Sequence, residues 1–193
     1  KENKFGVSEE SALNLYKKAK TMDSILIKGI DCHIGSQITD LKPFEDSIKK
    51  LIALIDKLEV EGIKIKHMDI GGGIGISYED EKAIPFDDYA KAVTTLTKGR
   101  DFKILLEPGR VIMADAGAIL TKVEYVKKTQ DKNFAIIDAA MNDLMRPSLY
   151  GAFHKIVNTS ETADKESVFD IVGPICETGD FIGKDRVISI EPN

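Results

Sequence analysis

Apolar residues along the chain switch between two periodicities, and the switching predicts alternating helices and strands. Ser8 followed by Glu9 and Glu10 reads as the N-cap and acidic first turn of a helix. Ala12, Leu13, Tyr16 and Ala19 recur along it at helical spacing. The run SILIKGIDCHIGS (24–36) predicts a strand that ends in a Gly-Ser loop. A second helix opens near Pro43, carries Ile48, Leu51, Ile52, Ile55 and Leu58 as one stripe, and stops at Gly62. IKIKHMD (63–69) predicts the next strand, which leads into three consecutive glycines. A third helix from Phe86 to about Lys98 sets Tyr89, Val93 and Leu96 on one side and stops at Gly99. FKILLEPGR (102–110) completes the series as a strand, and Lys4–Val7 reads as the end of an earlier one.

Strands separated by helices imply a parallel sheet or a βα barrel. The count is about four βα units, half of an eightfold barrel. After Arg110 the texture changes. In AILTKVEYVKK (118–128), Ile119, Thr121, Val123 and Tyr125 alternate with Lys122 and Glu124, predicting a half-buried antiparallel strand. NFAIIDAAM, VFDIVGPI and RVISI follow as short strands joined by polar connectors such as TSETADKES (159–167). The expected organisation is α/β: a partial (β/α) TIM-type barrel over 1–115, then an incomplete antiparallel all-β domain over 116–193. A chain that opens at a strand end and closes on ISIEPN reads as a piece of a longer protein.

Composition narrows the function classes. Among 193 residues, 42% are hydrophobic and 31% charged, ordinary proportions for a globular protein. A formal net charge of -5 disfavours nucleic acid or another polyanion as partner. No apolar run approaches the roughly 20 residues that a membrane span needs. The polar opening KENKFG carries no secretory pattern, so a cytoplasmic setting is expected. Cys32 and Cys176 lie far apart with no metal-ligand spacing, so free thiols and no metal are expected.

The chemistry concentrates at three successive strand ends. Three glycines in a row cost backbone entropy, and one reason for them is close approach of main-chain N–H groups to a phosphate. A tight strand-to-helix turn is the other. The run DIGGGIGI (69–76) does not fit GxGxxG, because the third glycine would fall on Ile76 or Tyr78, and no Lys-Ser or Lys-Thr follows it. His33-Ile34-Gly35-Ser36, Gly71-Gly72-Gly73 and Glu107-Pro108-Gly109-Arg110 would set an imidazole, a phosphate cradle, a carboxylate and a guanidinium around one opening, where βα barrels keep their active sites. Singly, each also has a plain reading: a core histidine, a turn, a solvated arginine.

CHIGSQ (32–37), DIGGGIGI (69–76), EPGR (107–110), RPSLY (146–150) and GPICETGD (173–180) together closely resemble the fold-type III pyridoxal-phosphate-dependent decarboxylases, in order and over essentially the whole chain. Within that family they are most similar to the members that convert meso-diaminopimelate to L-lysine. The resemblance implies a βα barrel with a C-terminal β domain, pyridoxal 5′-phosphate as cofactor, an amino-acid substrate, and a homodimer with shared active sites. It implies Glu107 opposite the cofactor's ring nitrogen and His33 stacked on the ring. Ser36, Gly71, Gly72, Gly73, Pro108, Gly109 and Arg110 would lie around the phosphate, with Arg110 also near substrate. Arg146 and Tyr150 would grip a substrate carboxylate, Cys176 would supply a proton, and Glu177 would face a distal ammonium. The family's anchoring lysine belongs upstream of Lys1 and a later tyrosine motif beyond Asn193, so this segment by itself is expected to be inactive. Decarboxylases of ornithine, arginine or carboxynorspermidine are alternatives, although the ornithine enzymes carry Asp where this chain has Glu177. A non-catalytic regulatory relative is a further one, with little use for Cys176, Glu107 and the glycines.

Overall fold

The computed structural model describes residues 4–159 and 165–190. The chain divides into two compact units, Lys1–Gly117 and Ala118–Asn193. In the first, α1 (Glu9–Lys20) opens as its sequence predicts, with the Ser8 hydroxyl accepting from the Ser11 N–H at 3.2 Å. Then come β1 (Gly29–Asp31), α2 (Lys42–Val60), β2 (His67–Asp69), α3 (Phe86–Leu96) and β3 (Lys103–Leu105). The strands form a parallel sheet in the order β1-β2-β3, in register Ile30↔Met68↔Ile104 and Asp31↔Asp69↔Leu105.

Pleating decides which face each residue takes. Ile30 and Met68 are buried, Ile104 packs beside them, and α2 covers the cluster with Phe44, Ile48, Leu51, Leu54, Ile55 and Leu58. Phe44 meets Tyr89 of α3 edge-on, ring centroids 5.2 Å apart. The neighbouring row, Asp31 and Asp69, points the other way, as period-two alternation requires.

Three expectations for this unit need correction. Lys4–Val7 is a bend and coil, not a strand, so three parallel strands are present among the described residues where about four βα units were expected. The strands are also shorter than their apolar runs. Ser24–Lys28, Ile63–Lys66 and Phe102 stay outside the ladders, and Ile63 and Ile65 are buried as loop residues of the core. The third helix ends at Leu96 rather than Lys98, with Thr97 as its cap.

The second unit holds β4 (Val123–Lys128), β5 (Asn133–Ile137), α4 (Met145–Tyr150), β6 (Ser167–Val172) and β7 (Phe181–Ile188), in the sheet order β4-β5-β6-β7. It is neither all-β nor wholly antiparallel. β5 and β6 run parallel, which demands a crossover, and α4 lies within that connection. The alternation read for 118–128 also fails. A bulge between Val123 and Tyr125 shifts the phase, so Val123 and Val126 turn inward while Tyr125 is 64% exposed; Ile119, ahead of the strand, is exposed too. Of the connector 159–167, residues 160–164 lie outside the described residues, as do the chain's first and last three. Among the described residues no helix is long and apolar enough to cross a membrane.

One buried charge ties the β unit together. Burial pushes the Asp170 carboxyl up, but hydrogen bonds from Lys132 Nζ and the Asp185 N–H, both 2.8 Å, outweigh that and hold it below the usual carboxylate range. A depressed folded-state value means that ionised Asp170 stabilises the fold above about pH 4, and that this stability is lost as the pH falls through the depressed value. Asp170→Asn should therefore lower the urea midpoint at pH 7, with the gap from the parent narrowing at pH 3. An equal gap at both pH values would contradict the linkage.

Candidate active site

Main-chain contact, not side chains, assembles the three strand ends. The Cys32 N–H donates to Asp69 O at 3.2 Å, Ile70 N–H to Leu105 O at 3.1 Å, Glu107 N–H to Gly71 O at 2.9 Å, and Ile38 N–H to Gly73 O at 2.9 Å. This packing leaves no room for side chains at the glycines. A Cβ on Gly72 would stand 2.1 Å from the Glu107 carbonyl oxygen, one on Gly73 2.1 Å from Gly35 O, and one on Gly71 2.6 Å from Cys32 O. Gly71 and Gly73 also take φ values of +69° and +100°.

Two of the three glycine amides are already engaged. Gly71 N–H donates to Asp69 Oδ1 at 2.9 Å, and Gly72 N–H to His33 Nδ1 at 3.3 Å. In that second bond Nδ1 is the acceptor. Among the described residues no acceptor faces the amides of Gly73, Gly109 or Arg110. Those three N–H groups suit a phosphate better than Gly71 or Gly72 does. Ser36 is exposed in the loop after β1. Pro108, which has no N–H to offer, is exposed between Glu107 and Gly109.

Sequence reading missed the company Glu107 keeps. Asp31, Asp69 and Glu107 bring carboxylate oxygens within 4.8 Å of one another. The signal was present: period two from Leu105 sends Glu107 to the face that Asp31 and Asp69 occupy. Three carboxylates at one opening favour a cationic group, such as a protonated ring nitrogen. Gln37 and Tyr78 were missed as well. Arg110 Nη1 donates to Tyr78 Oη at 2.9 Å and to Gln37 Oε1 at 3.4 Å.

The predicted residues of the second unit gather at one place within it. Arg146 and Tyr150 lie on α4, the guanidinium 5.5 Å from the ring centroid. Cys176 and Glu177 are exposed in the 173–180 loop, where Glu177 Oε1 accepts from Gly179 N–H at 3.1 Å. The Ser148 hydroxyl joins helix to loop by donating to Gly179 O at 2.5 Å. Asp180, 3% exposed, braces the loop by accepting from Met141 N–H at 2.7 Å and Ile175 N–H at 2.8 Å. Both cysteines are free.

Residues 1–114 match the family described as pyridoxal-dependent decarboxylase, pyridoxal binding domain. The chain is 48% identical over 192 residues to diaminopimelate decarboxylase of Vibrio cholerae, covering 99% of this chain and 46% of that protein. Against diaminopimelate decarboxylase of Neisseria meningitidis the identity is 50% over 191 residues, 99% of this chain and 47% of the relative. The crystal structure of diaminopimelate decarboxylase from Helicobacter pylori complexed with L-lysine matches with a TM-score of 0.90 and 42% identity, covering all of this chain and 48% of that one. The chain thus spans about half the length of the curated relatives it matches.

The glycine geometry is testable without any ligand. Gly72→Ala should cost at least about 2 kcal/mol, since backbone must move to admit the methyl group. Gly117→Ala, where a Cβ meets nothing within 4 Å, should stay within about 0.5 kcal/mol of the parent in the same denaturant melts.

Proposed function

The chain belongs to the pyridoxal-dependent decarboxylases, and from that premise we propose that it carries much of the active site of an enzyme that converts meso-diaminopimelate to L-lysine and carbon dioxide. The observation that carries the reading is the joining of three strand ends, where His33 meets the Gly72 amide, the Glu107 amide meets Gly71 O, and the Glu107 carboxylate lies beside those of Asp31 and Asp69. The choice of substrate rests on relatives 48% and 50% identical that are diaminopimelate decarboxylases.

When bound, pyridoxal phosphate supplies a conjugated ring that takes up the electron pair left as carbon dioxide departs. Glu107, with Asp31 and Asp69 beside it, gives the ring nitrogen an anionic partner that favours its protonation. His33 offers a flat imidazole to the ring, held by the Gly72 N–H. The amides of Gly73, Gly109 and Arg110, with the Ser36 hydroxyl, hold the phosphate, while Gly71 and Gly72 serve by letting the loops close. Arg146, stacked on Tyr150, binds a substrate carboxylate in the fork-like manner open to a guanidinium. Cys176 delivers the proton that replaces carbon dioxide, and Glu177 receives the distal ammonium.

The three-stranded sheet is, in this reading, part of a TIM-type barrel whose remaining units complete both edges, and residues from about 116 onward form the substrate-contributing domain. Exposed Leu26, Leu105 and Leu106 support that, because parallel sheets are normally covered on both faces. The cofactor-anchoring lysine is assigned outside these 193 residues. The working unit is a cytoplasmic homodimer in which the Cys176 loop serves the partner's barrel. Decarboxylation of ornithine is the second reading, and Glu177 after Cys176 counts against it.

The test is lysine and carbon dioxide release from diaminopimelate by the full-length natural protein. Glu107→Gln should lower kcat at least tenfold while leaving cofactor affinity within about threefold, because the phosphate contacts remain. A normal kcat would remove the assigned role. Mixing Cys176→Ala with Glu107→Gln subunits should restore about a quarter of full activity if pairing is random. A mixture as inactive as its parents, despite verified subunit exchange, would exclude shared sites.

A further inference from the structure

We infer that Gln37 and Tyr78 are positioning residues that fix the Arg110 guanidinium at the glycine-lined opening, aiming it at an anionic group bound there. Gln37 is one of two non-glycine residues with positive φ among the described residues, at +59°. Such a backbone is uncommon and persists where surroundings enforce it. The enforcement is visible. The Gln37 amide brackets the main chain of Ile76, its Nε2 donating to Ile76 O at 2.6 Å and its Oε1 accepting from Ile76 N–H at 3.3 Å. Ile38, next in sequence, pairs with Ile74 and accepts from the Gly75 N–H at 2.9 Å. The loop after β1 is thus stitched to the loop after β2, and the same Oε1 faces Arg110 Nη1 at 3.4 Å.

Tyr78 closes the clamp from the far side. Its hydroxyl accepts from Nη1 at 2.9 Å. Its own loop is folded around Glu81, whose carboxylate accepts from the N–H groups of Tyr78 at 3.0 Å and Glu79 at 2.8 Å. Both hydrogens of Nη1 are therefore spoken for, one by each partner. Among the described residues no hydrogen bond engages the Nε–Nη2 edge of the guanidinium, which can meet two oxygens at once. Nothing in this arrangement makes Gln37 or Tyr78 a catalytic residue; each acts through Arg110.

The inference rests on the proposed function, with the Arg110 side chain, as the family resemblance implies, beside the phosphate or the substrate; the shared chemistry is an anionic oxygen group. It could be the cofactor's phosphate or a substrate carboxylate, so the experiment has two arms in the full-length natural protein. The first is the affinity of the apoprotein for pyridoxamine 5′-phosphate by fluorescence titration, and the second is KM against kcat for diaminopimelate. Arg110→Ala should weaken one of these roughly tenfold or more. Gln37→Ala and Tyr78→Phe should weaken the same parameter roughly three- to tenfold with kcat held, and each should add less than about twofold on an Arg110→Ala background. Additive losses, or a different parameter affected, would overturn the clamp while leaving the role of Arg110 intact. No effect of Arg110→Ala in either arm would overturn that role and the clamp with it. Tyr78→Phe removes only a hydroxyl, so it decides the matter if Gln37→Ala fails to fold.

Discussion

Backbone packed directly on backbone governs the first unit. Gly71, Gly72 and Gly73 bring the β2 extension within reach of carbonyl oxygens from Cys32, Gly35 and Glu107, at separations that any Cβ would violate. With side chains excluded, the loops after β1 and β3 close on the one after β2 through main-chain hydrogen bonds. Every side chain of interest hangs from that closure. His33 is held by a glycine amide, Glu107 donates its own amide to Gly71, and Gln37 reaches Ile76 because Ile38 is already paired beside it. The entropy that glycine loses is offset by a rigid floor on which the functional groups have little freedom left.

The second unit solves the same problem with a buried charge. Asp180 holds the Cys176–Glu177 loop by accepting from two amides, and the absence of a side chain at Gly173 makes this possible, since a Cβ there would stand 2.3 Å from Asp180 Oδ2. Ser148 then joins α4, with Arg146 and Tyr150, to the same loop. A carboxylate buried to 3% exposure needs its hydrogen bonds, so the loop and its carboxylate stabilise each other.

What the sequence discloses here follows from how local each signal is. Helices are legible because capping and 3.6-residue periodicity are written within a dozen residues, as Ser8 and the α2 stripe show. Strand lengths are not. Ile63 and Ile65 are as apolar as ladder residues yet are buried as loop. The inward face of β4 is misread for one reason, the bulge after Val123, which displaces Tyr125 to the surface. The parallel pairing of β5 with β6 depends on a connection that includes α4, and no short pattern records it. The site motifs were legible by resemblance. The contacts of Asp31, Asp69, Gln37 and Tyr78 are not legible there, because they are made with neighbours far away in sequence.

The strand ends of the first unit carry groups of both signs, an arrangement that suits a ligand with both charges. Carboxylates of Asp31, Asp69 and Glu107 crowd within 4.8 Å, a grouping that repels itself until a positive charge arrives. Arg110 and the open amides of Gly73, Gly109 and Arg110 present the opposite sign. A simple anion would satisfy only the second set, and a simple cation only the first. A molecule with a protonated heterocycle at one end and a phosphate at the other would answer both. A guanidinium whose Nη1 meets both Gln37 and Tyr78 has less freedom than one held by a single bond, so the positive group keeps a fixed place.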